Sequence, residues 1–557
     1  MTTAEAPATV WTSRDGIAVR DLVPARYRRA WAAEGHCPDR DLYALFAGHA
    51  RRHPGREAVI DSAGVLDYAA LAARVRCAAA AFTAAGLGER DIVAIRLPNG
   101  RDAVVAELAV AAIGAVSLPY PPGRGTRDTV SLLGRARARG AVLSSPADLA
   151  LRDQLPFLRA VFTTGDATPG VPGVRPFPSP GDDRHSTPPP DFRPASPAPE
   201  SPARILVSSG SEAEPKMVAY SHNAMAGGRA AYVRALHTGG TPPRHLVLVP
   251  LASSFGSCGT PVTVAALGGT LLVQDSFDPA GALRMISEHR PTHLLGVPTM
   301  LRRLADQPPV PGEDLTGLRA LVASGAALPP ATADACRRRF GRPVIAVYGS
   351  SDGVNCHTAA TGLTPETGTG RPDPAVAQIR ITTEDGTVLG PGRPGEILAR
   401  GPMTPLCYVA SPDLDARYRT ATGWVCTGDR GLLDAEGRLH VLGRLRQVVV
   451  RGGWNISPAE VEREMAAHPA VAEVACVAVP DPELGERLCA CVRGTPGAPA
   501  IALPALTAFL EDRGLERRKL PELLLRVDEM PLGPTGKICR RTLASRAAGL
   551  PLPARRR

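Results

Sequence analysis

The chain has 557 residues, of which 44% are hydrophobic and only 4% aromatic, a length that predicts two or more domains. Its formal net charge of +10 is carried by dispersed arginines, which disfavours a nucleic-acid binder, because such proteins gather basic and aromatic residues on one face. There is no signal-like N-terminus and no run of about 18 apolar residues, so we expect a cytoplasmic protein without membrane spans.

The sequence pattern in the first part of the chain predicts layered helices and strands. Residues 42–142 alternate helical apolar spacing with short apolar runs, which predicts α/β layering. From about 165 to 203 proline, serine, glycine and aspartate dominate, and we expect an exposed, partly extended connection that cannot form a core. Six short, almost purely apolar runs follow at 205–207, 245–249, 270–273, 293–297, 318–322 and 344–347. Such runs are typical of parallel strands buried on both faces.

The pattern of predicted elements changes twice in the last third of the chain. From about Arg371 strands alternate with turns, which predicts an antiparallel β subdomain. We place the domain boundary at Gly443–Arg444. The predicted fold class is α/β: a large N-terminal domain of layered parallel sheets with helices and a β subdomain (1–443), and a small C-terminal α+β domain (444–557). Within the small domain we expect helices at 458–465 and 503–513 and strands around 474–479 and 488–492.

Lysine is rare in this sequence. Lys216, Lys519 and Lys537 are the only three, so 61 of the 64 lysines and arginines are arginine. A position that keeps lysine under such a bias is a candidate for chemistry that needs a compact ammonium rather than a planar guanidinium. Drift is the alternative explanation, and the location of the three lysines decides between the two.

The first of these lysines ends a loop suited to anions. The predicted strand at 205–207 runs into Ser208-Ser-Gly-Ser-Glu-Ala-Glu-Pro-Lys216. Hydroxyls, backbone N–H groups and an ammonium can bind oxyanions, although the spacing is not that of a Walker P-loop. For this segment alone, an ordinary loop after a strand remains the alternative.

Further segments of the same kind follow in order along the chain. They are Ser324-Gly-Ala-Ala-Leu328, Tyr348-Gly-Ser-Ser-Asp352, Gly423-Trp-Val-Cys-Thr-Gly-Asp429, Gly443-Arg444 with Gly452-Gly-Trp-Asn-Ile-Ser-Pro458, Lys519-Leu-Pro521, and Pro534-Thr-Gly-Lys537. With the loop above, this set resembles the motifs of the acyl-adenylate-forming superfamily of AMP-dependent synthetases and ligases, which includes acyl-CoA ligases, peptide-synthetase adenylation domains and luciferases. The resemblance runs from about residue 42 to the end, and all three lysines fall on its motifs.

The resemblance implies ATP and Mg²⁺ as cofactors and assigns roles to the matching residues. Lys537 would bind the attacking carboxylate and the α-phosphate, Ser351 would contact the α-phosphate, and Asp352 would hold Mg²⁺. The other implied nucleotide-site residues are Ser208, Ser209, Gly210, Ser211 and Lys216 at the phosphates, Ala326, Ala327, Tyr348 and Gly349 on the adenine side, Asp429 and Arg444 at the ribose, and Gly452 and Gly453 beside a thiol channel.

The sequence departs from the family pattern in the phosphate loop and at the hinge. Glu212 and Ala213 stand where the family usually has Thr and Gly, which adds a carboxylate near the polyphosphate. The hinge about which the small domain would rotate is Gln447 instead of Asp or Lys. A hinge depends on backbone freedom more than on charge, so this change is compatible with rotation.

The acid pocket departs further. The resemblance implies that Ser324 and Gly325 line it, together with Ser253 and Phe255 from the segment 250–256. Ser253 occupies the place of the histidine in the family's PLxHxxG element. Since a small hydroxyl replaces a ring, we expect a pocket of different shape and polarity.

The predicted function is ATP-dependent activation of a small carboxylic acid as acyl-AMP with release of pyrophosphate. Transfer to the thiol of coenzyme A or of a carrier-protein phosphopantetheine would follow. Two alternatives stay open. The altered phosphate and pocket motifs would also suit an ATP-dependent diazotase that activates nitrite for coupling to an aryl amine. The second alternative is a non-catalytic binding or scaffold protein related to the same family. Retention of Lys537, Asp429 and Arg444 argues against this alternative.

Overall fold

The computed structural model describes residues 9–122, 126–144, 152–164, 174–178, 192–208, 215–237, 241–445, 449–451, 454–481, 484–534 and 536–552. The strands are β1 (Val10–Thr12), β2 (Ala18–Arg20), β3 (Glu57–Asp61), β4 (Gly64–Asp67), β5 (Ile92–Arg96), β6 (Val116–Pro119), β7 (Gly140–Leu143), β8 (Ala160–Thr163), β9 (Val174–Pro176), β10 (Pro202–Ser208), β11 (Lys216–Ser221), β12 (Arg244–Val247), β13 (Thr270–Val273), β14 (His293–Gly296), β15 (Ala320–Ser324), β16 (Val344–Gly349), β17 (Asn355–His357), β18 (Gln378–Thr382), β19 (Gly395–Arg400), β20 (Val425–Leu433), β21 (Leu439–Arg444), β22 (Val449–Arg451), β23 (Trp454–Ile456), β24 (Val471–Asp481), β25 (Gly485–Gly494) and β26 (Leu523–Arg526).

The α-helices are α1 (Ala25–Ala33), α2 (Leu42–Arg52), α3 (Tyr68–Ala84), α4 (Arg101–Ala112), α5 (Thr126–Ala136), α6 (Ala230–Ala235), α7 (Pro279–His289), α8 (Pro298–Ala305), α9 (Pro330–Phe340), α10 (Pro412–Tyr418), α11 (Pro458–Met465), α12 (Leu503–Asp512) and α13 (Arg540–Ala547). Two π-helical segments, Ala224–Arg229 and Gly259–Ala266, lie close together. Within the ranges given above, no helix is both long and apolar enough to cross a membrane.

Two large sheets dominate the N-terminal part. The first has the order β11-β10-β6-β5-β7-β8-β9 and is parallel except for the β10–β11 pair. The second has the order β17-β16-β15-β14-β12-β13-β3-β4 and is parallel except at its two edges. The largest apolar core contains residues of both sheets and of α2, α3 and α4. All six apolar runs from 205 to 347 overlap strands of these sheets, so the layered parallel-sheet prediction is confirmed.

The expected Pro-rich connection at 165–203 is wrong in part. Residues Val174–Pro176 form β9, which pairs in parallel with β8 at the end of the first sheet. Phe177 is buried, with its ring 6.2 Å from that of Phe82. The tract also ends earlier than expected, because β10 begins at Pro202. Prolines are tolerated at a sheet edge or at the first residue of a strand, where the missing N–H breaks no ladder. Residues 165–173 and 179–191 lie outside the described part.

The remaining sheets carry the rest of the chain. Strands β18 to β21 form an antiparallel four-stranded sheet, as the alternating pattern predicts. In the C-terminal part, β25 pairs antiparallel with β24 and β22 and parallel with β26. Helix α11 starts where predicted, with Pro458 in its first turn and the Ser457 hydroxyl accepting from the backbone N–H of Glu460. The boundary at 443/444 stays a prediction.

Candidate active site

Tyr348, Asp429 and Arg444 meet at the end of β16. Asp429 and Arg444 are cross-strand partners on β20 and β21, which places their side chains side by side. The Tyr348 hydroxyl donates to Asp429 Oδ2 at 2.6 Å, and Arg444 Nε lies 2.7 Å from Asp429 Oδ1. Burial raises the pKa of Asp429, and the Arg444 guanidinium opposes this. A carboxylate has about four acceptor positions, so Asp429 can still accept from two ribose hydroxyls.

Lys537 reaches the same region from the C-terminal part of the chain. It leaves a tight turn in which Gly536, at φ +75°, donates its N–H to the carbonyl of Gly533. A Cβ on Gly325 would lie 3.0 Å from Lys537 Cε and 3.7 Å from Nζ, so the lysine packs against a backbone that has no side chain. Burial lowers the pKa of Lys537, and the nearby Arg444 lowers it further.

Two contacts outside the site join the Lys537 turn to the large domain. Thr299 Oγ1 donates to the carbonyl of Gly536 at 3.3 Å, and Arg303 pairs with Glu529 on the surface. A Cβ on Gly536 would lie 2.6 Å from Met300 Cε, so this glycine packs closely on α8. These contacts hold the Lys537 turn against the large domain in this structure.

Asp352 is held by an aromatic residue that the sequence analysis did not identify. The Tyr408 hydroxyl donates to Asp352 Oδ1 at 2.7 Å, and the Asp352 side chain is buried. The neighbouring Ser351 is fixed through its carbonyl, which accepts from the Tyr220 hydroxyl at 2.8 Å. Mg²⁺ prefers carboxylate oxygens together with substrate phosphates and water, so a single oriented carboxylate here fits that ion.

Tyr408 also contributes to the surroundings of Lys216. Ser208 and Lys216 are register partners at the loop end of the β10–β11 hairpin, and the loop between them contains the predicted phosphate-binding residues. Lys216 Nζ lies 3.9 Å from the ring centre of Tyr418 and 5.5 Å from that of Tyr408. Aromatic faces attract an ammonium, so the two rings position the lysine at the base of the loop.

The acid-pocket segment forms a tight turn. Ser253 Oγ accepts from the N–H of Gly256 at 2.9 Å, so this hydroxyl serves the turn itself. A Cβ on Gly256 would lie 1.9 Å from the carbonyl oxygen of Pro250, which restricts the position to glycine. Phe255 is partly buried against the large core. Ser253 therefore has a local structural role in this turn.

The first residues after β15 line an open surface. Ser324 is buried at the end of the strand, and Gly325 follows at φ +90°. Ala326 and Ala327 are exposed, and Gly349 closes β16 beside them in the same sheet. These residues therefore stand at the carboxyl ends of parallel strands, where open α/β sheets usually bind ligands.

Two buried arginines support the 250–256 turn, and the sequence analysis did not name either. Arg204 donates to the carbonyl of Leu251 at 2.7 Å and pairs with Glu107. Arg229 donates to the carbonyl of Ser254 at 2.9 Å. Both side chains are almost fully buried. The sequence did contain a signal for both: Arg204 lies inside an apolar strand, and Arg229 lies in an Ala/Gly-rich stretch. A charged side chain in a buried element needs a polar partner.

Several predicted site residues lie outside the described part of the chain. They are Ser209, Gly210, Ser211, Gln447, Gly452 and Gly453. The substituted loop residues Glu212 and Ala213 also lie outside it. The described residues that do converge, Tyr348, Asp352, Asp429, Arg444 and Lys537, come from four separate segments of the sequence.

Comparisons with known proteins agree with this arrangement. A family model described as AMP-binding enzyme matches residues 46–409, and one described as AMP-binding enzyme C-terminal domain matches residues 460–537. The chain is 30% identical to 2-hydroxy-7-methoxy-5-methyl-1-naphthoate–CoA ligase from Streptomyces carzinostaticus, over 95% of this chain and 96% of that protein. It is also 30% identical to salicyl-AMP ligase / salicyl-S-ArCP synthetase from Mycobacterium tuberculosis, over 93% of each.

A solved structure extends the likeness to three dimensions. The amide bond synthetase McbA from Marinactinospora thermotolerans superposes with a TM-score of 0.75 at 29% identity, covering 91% of this chain and 99% of that one. Family models, relatives and fold therefore agree with the motifs. The chain belongs to the AMP-binding enzyme family and is an AMP-forming ligase.

Proposed function

We propose that this ligase activates a small carboxylic acid as acyl-AMP and then transfers the acyl group to a thiol of coenzyme A or of a carrier-protein phosphopantetheine. The observation that carries the proposal is the contact of the Lys537 side chain with Gly325, beside Arg444. An ammonium in this position can bind two anions, the attacking carboxylate and the α-phosphate. Relatives that act on naphthoate and salicylate make aryl acids the first substrates to test.

In the first half-reaction, a carboxylate oxygen attacks the α-phosphorus and forms a new P–O bond, while the P–O bond to pyrophosphate breaks. The protein positions the reactants and offsets their negative charge. Lys537 would hold the attacking carboxylate, Asp429 would accept from the ribose hydroxyls, and Lys216 would contact the leaving pyrophosphate. Asp352 would bind Mg²⁺, which supplies further charge neutralisation at the phosphates.

In the second half-reaction, the thiol sulfur forms a C–S bond to the acyl carbonyl carbon and loses its proton to solvent, while AMP leaves with the electrons of the broken C–O bond. Lys537 has no role in that step if the small domain rotates away. The contacts that would break include those of Gly536 with Thr299 and Met300 and that of Lys537 with Gly325. The exposed pair of Arg303 and Glu529 would also break, and such pairs are typically worth only about 0–1 kcal/mol.

The test measures pyrophosphate release with ATP and Mg²⁺ across aryl acids, aliphatic acids, and nitrite with aryl amines. Lys537→Ala should lower the rate with the best acid by about 10²- to 10³-fold, the loss typical of removing one transition-state charge contact. Lys519→Ala is the matched control, because Lys519 Nζ pairs with Glu460 at 2.7 Å and makes no contact with the site residues described above.

The acceptor is then identified by adding coenzyme A, phosphopantetheinylated carrier protein or an amine to the acyl-AMP formed. A thioester product supports the proposal. Pyrophosphate release only with nitrite would replace it by the diazotase reaction, and an amide as the only product would replace the thiol acceptor by an amine. Lack of turnover with every acid would favour the binding or scaffold alternative.

A further inference from the structure

Three histidines that the ligase reaction does not use meet at the sheet edge opposite the active site. His245 and His293 are adjacent Cα partners at the start of β12 and β14, and His237 follows α6. The full length of β14 separates His293 from Val297, whose side chain packs at Gly325. The histidine cluster is therefore a separate place in the fold.

The three rings are close enough to share one ligand. His237 Nε2 and His245 Nε2 are 2.7 Å apart, and the ring centres of His237 and His293 are 3.9 Å apart. One ring nitrogen from each histidine lies within 4.8 Å of the other two. His245 and His293 are buried, and His237 is partly buried, which leaves one side from which an ion can enter.

The hydrogen bonds around His245 determine its tautomer. Thr263 Oγ1 donates its one proton to the carbonyl of Cys258 at 2.6 Å. The contact of 2.7 Å between His245 Nδ1 and the same Thr263 oxygen therefore needs the proton on Nδ1. Nε2 is left with its lone pair, and this is the nitrogen that faces His237.

His293 is fixed in the same way. Its Nε2 lies 3.1 Å from the carbonyl of Leu236, which can only accept, so the proton is on Nε2 and Nδ1 has a lone pair. The Nδ1 atom lies 3.1 Å from Thr292 Oγ1, and this oxygen is also 3.0 Å from the carbonyl of Arg244, which already accepts from the backbone N–H of Thr292. The partner of the Nδ1 lone pair is thus a rotatable hydroxyl, which can turn toward that carbonyl when a metal binds.

Burial also keeps the rings in the form that binds metals. It lowers the pKa of His237 to about 3 and that of His293 to about 4, and it lowers the pKa of His245 well below its ordinary value. The positive charge of Arg319 acts in the same direction on His237 and His293. All three imidazoles are neutral at pH 7, and a neutral imidazole is the common protein ligand of transition metals.

We propose that His237, His245 and His293 bind one zinc-type divalent transition-metal ion, at a site distinct from the Mg²⁺ position at Asp352. Imidazole nitrogens suit Zn²⁺, Co²⁺, Ni²⁺ and Cu²⁺, whereas Mg²⁺ takes oxygen ligands. Three histidines leave a fourth position for water. Thr263 and the Leu236 carbonyl would orient the rings through the nitrogens that do not coordinate.

The site differs from an ideal metal geometry in its nitrogen–nitrogen distances. Zn–N bonds of about 2.0–2.1 Å in a tetrahedron place the ligand nitrogens about 3.3 Å apart. His237 Nε2 and His245 Nε2 must therefore separate by roughly 0.6 Å, and nitrogens as far as 4.8 Å apart must approach by up to about 1.5 Å, so binding requires rotation of the rings. Without metal, the same pair is joined by a hydrogen bond between two neutral rings.

The experiment measures Zn²⁺ bound to the full-length protein after removal of metal with a chelator, without ATP or Mg²⁺. Competition with a chromophoric chelator gives stoichiometry and affinity, and Co²⁺ gives the ligand type from its visible spectrum. We expect one ion per chain with a nitrogen-ligated tetrahedral spectrum. His237→Gln should weaken binding by at least about 10- to 100-fold, and Thr263→Val by about 10-fold.

His49→Gln is the matched control, since His49 is also half-buried in the large domain, where its ring contacts the carbonyl of Ala266 and Arg52. Binding unchanged in this control but lost in His237→Gln supports the site. His237 is partly exposed, so its variant is expected to fold, and circular dichroism verifies this. Absence of bound Zn²⁺, equal binding in His237→Gln, or a cobalt–thiolate absorption from the cysteines would overturn the proposal. No arm depends on ligase activity.

Discussion

Lys537 and Gly325 are in van der Waals contact: a Cβ on the glycine would lie only 3.0 Å from Lys537 Cε. The two residues belong to different predicted domains, and the absence of a side chain on one makes room for the ammonium of the other. Gly325 also has φ +90°, a conformation that other residues adopt only with strain. Glycine is therefore favoured at position 325 for two reasons: the local backbone conformation and the space that Lys537 occupies.

Gly325→Ala should separate these two reasons. The added methyl group would push Lys537 by a few tenths of an ångström, and small misplacements at a reacting centre cost up to about 10²-fold in rate. We expect adenylation to fall about 10- to 100-fold while thioester formation from supplied acyl-AMP changes little. Gly312→Ala is the control, since Gly312 has a similar φ of +80° with no atom near its Cβ position. Equal losses in both variants would assign the effect to backbone strain.

The lowered pKa of Lys537 gives a second prediction, on pH. Since burial and Arg444 lower this pKa, the ammonium is lost below the ordinary value of 10.5. Adenylation kcat/KM for ATP should then decline on the basic side below pH 10.5, because the neutral amine cannot offset the phosphate charge. Arg444→Gln should move this decline to higher pH. A basic limb that stays in place in this variant would contradict the assignment.

The sequence predicted the strands well because the parallel strands are almost purely apolar. It predicted the converging residues, such as Asp429 and Lys537, because the ordered motifs resemble a family. It did not predict Tyr408 beside Asp352 or Arg204 beside Glu107. Which polar groups pair in the interior depends on how distant segments pack, and no local spacing encodes that. The β9 edge strand was missed because its prolines dominated the reading of the tract.

Tyr408 provides a prediction about Mg²⁺. Tyr408→Phe removes the hydrogen bond to Asp352 and keeps the ring near Lys216. Hydrogen bonds to charged groups contribute about 1.5–3 kcal/mol, so the Mg²⁺ concentration for half-maximal adenylation should rise by about 10-fold or more. Tyr418→Leu, which removes the ring 3.9 Å from Lys216, should instead raise the KM for ATP. If both variants changed the same parameter, the separate positioning roles would be wrong.

The buried pair of Arg204 and Glu107 gives a prediction about stability. The two side chains are 1% and 10% exposed, and Glu107→Ala would leave the Arg204 charge without its carboxylate. Breaking such a pair costs about 3–5 kcal/mol, whereas replacing both partners by apolar residues costs far less. We therefore expect a melting temperature several degrees lower for Glu107→Ala and near-recovery in the Glu107→Leu/Arg204→Met double variant.

Asp334→Ala is the control for this pair, since it removes the exposed partner of Arg337, and such pairs contribute about 0–1 kcal/mol. Arg204 also donates to the carbonyl of Leu251, so the double variant should recover stability without recovering the KM for the acid. Recovery of both would show that the 250–256 turn does not need the guanidinium. If neither the melting temperature nor the KM recovered, the pair would do more than neutralise charge. Its apolar replacement would then fail to pack in the same volume.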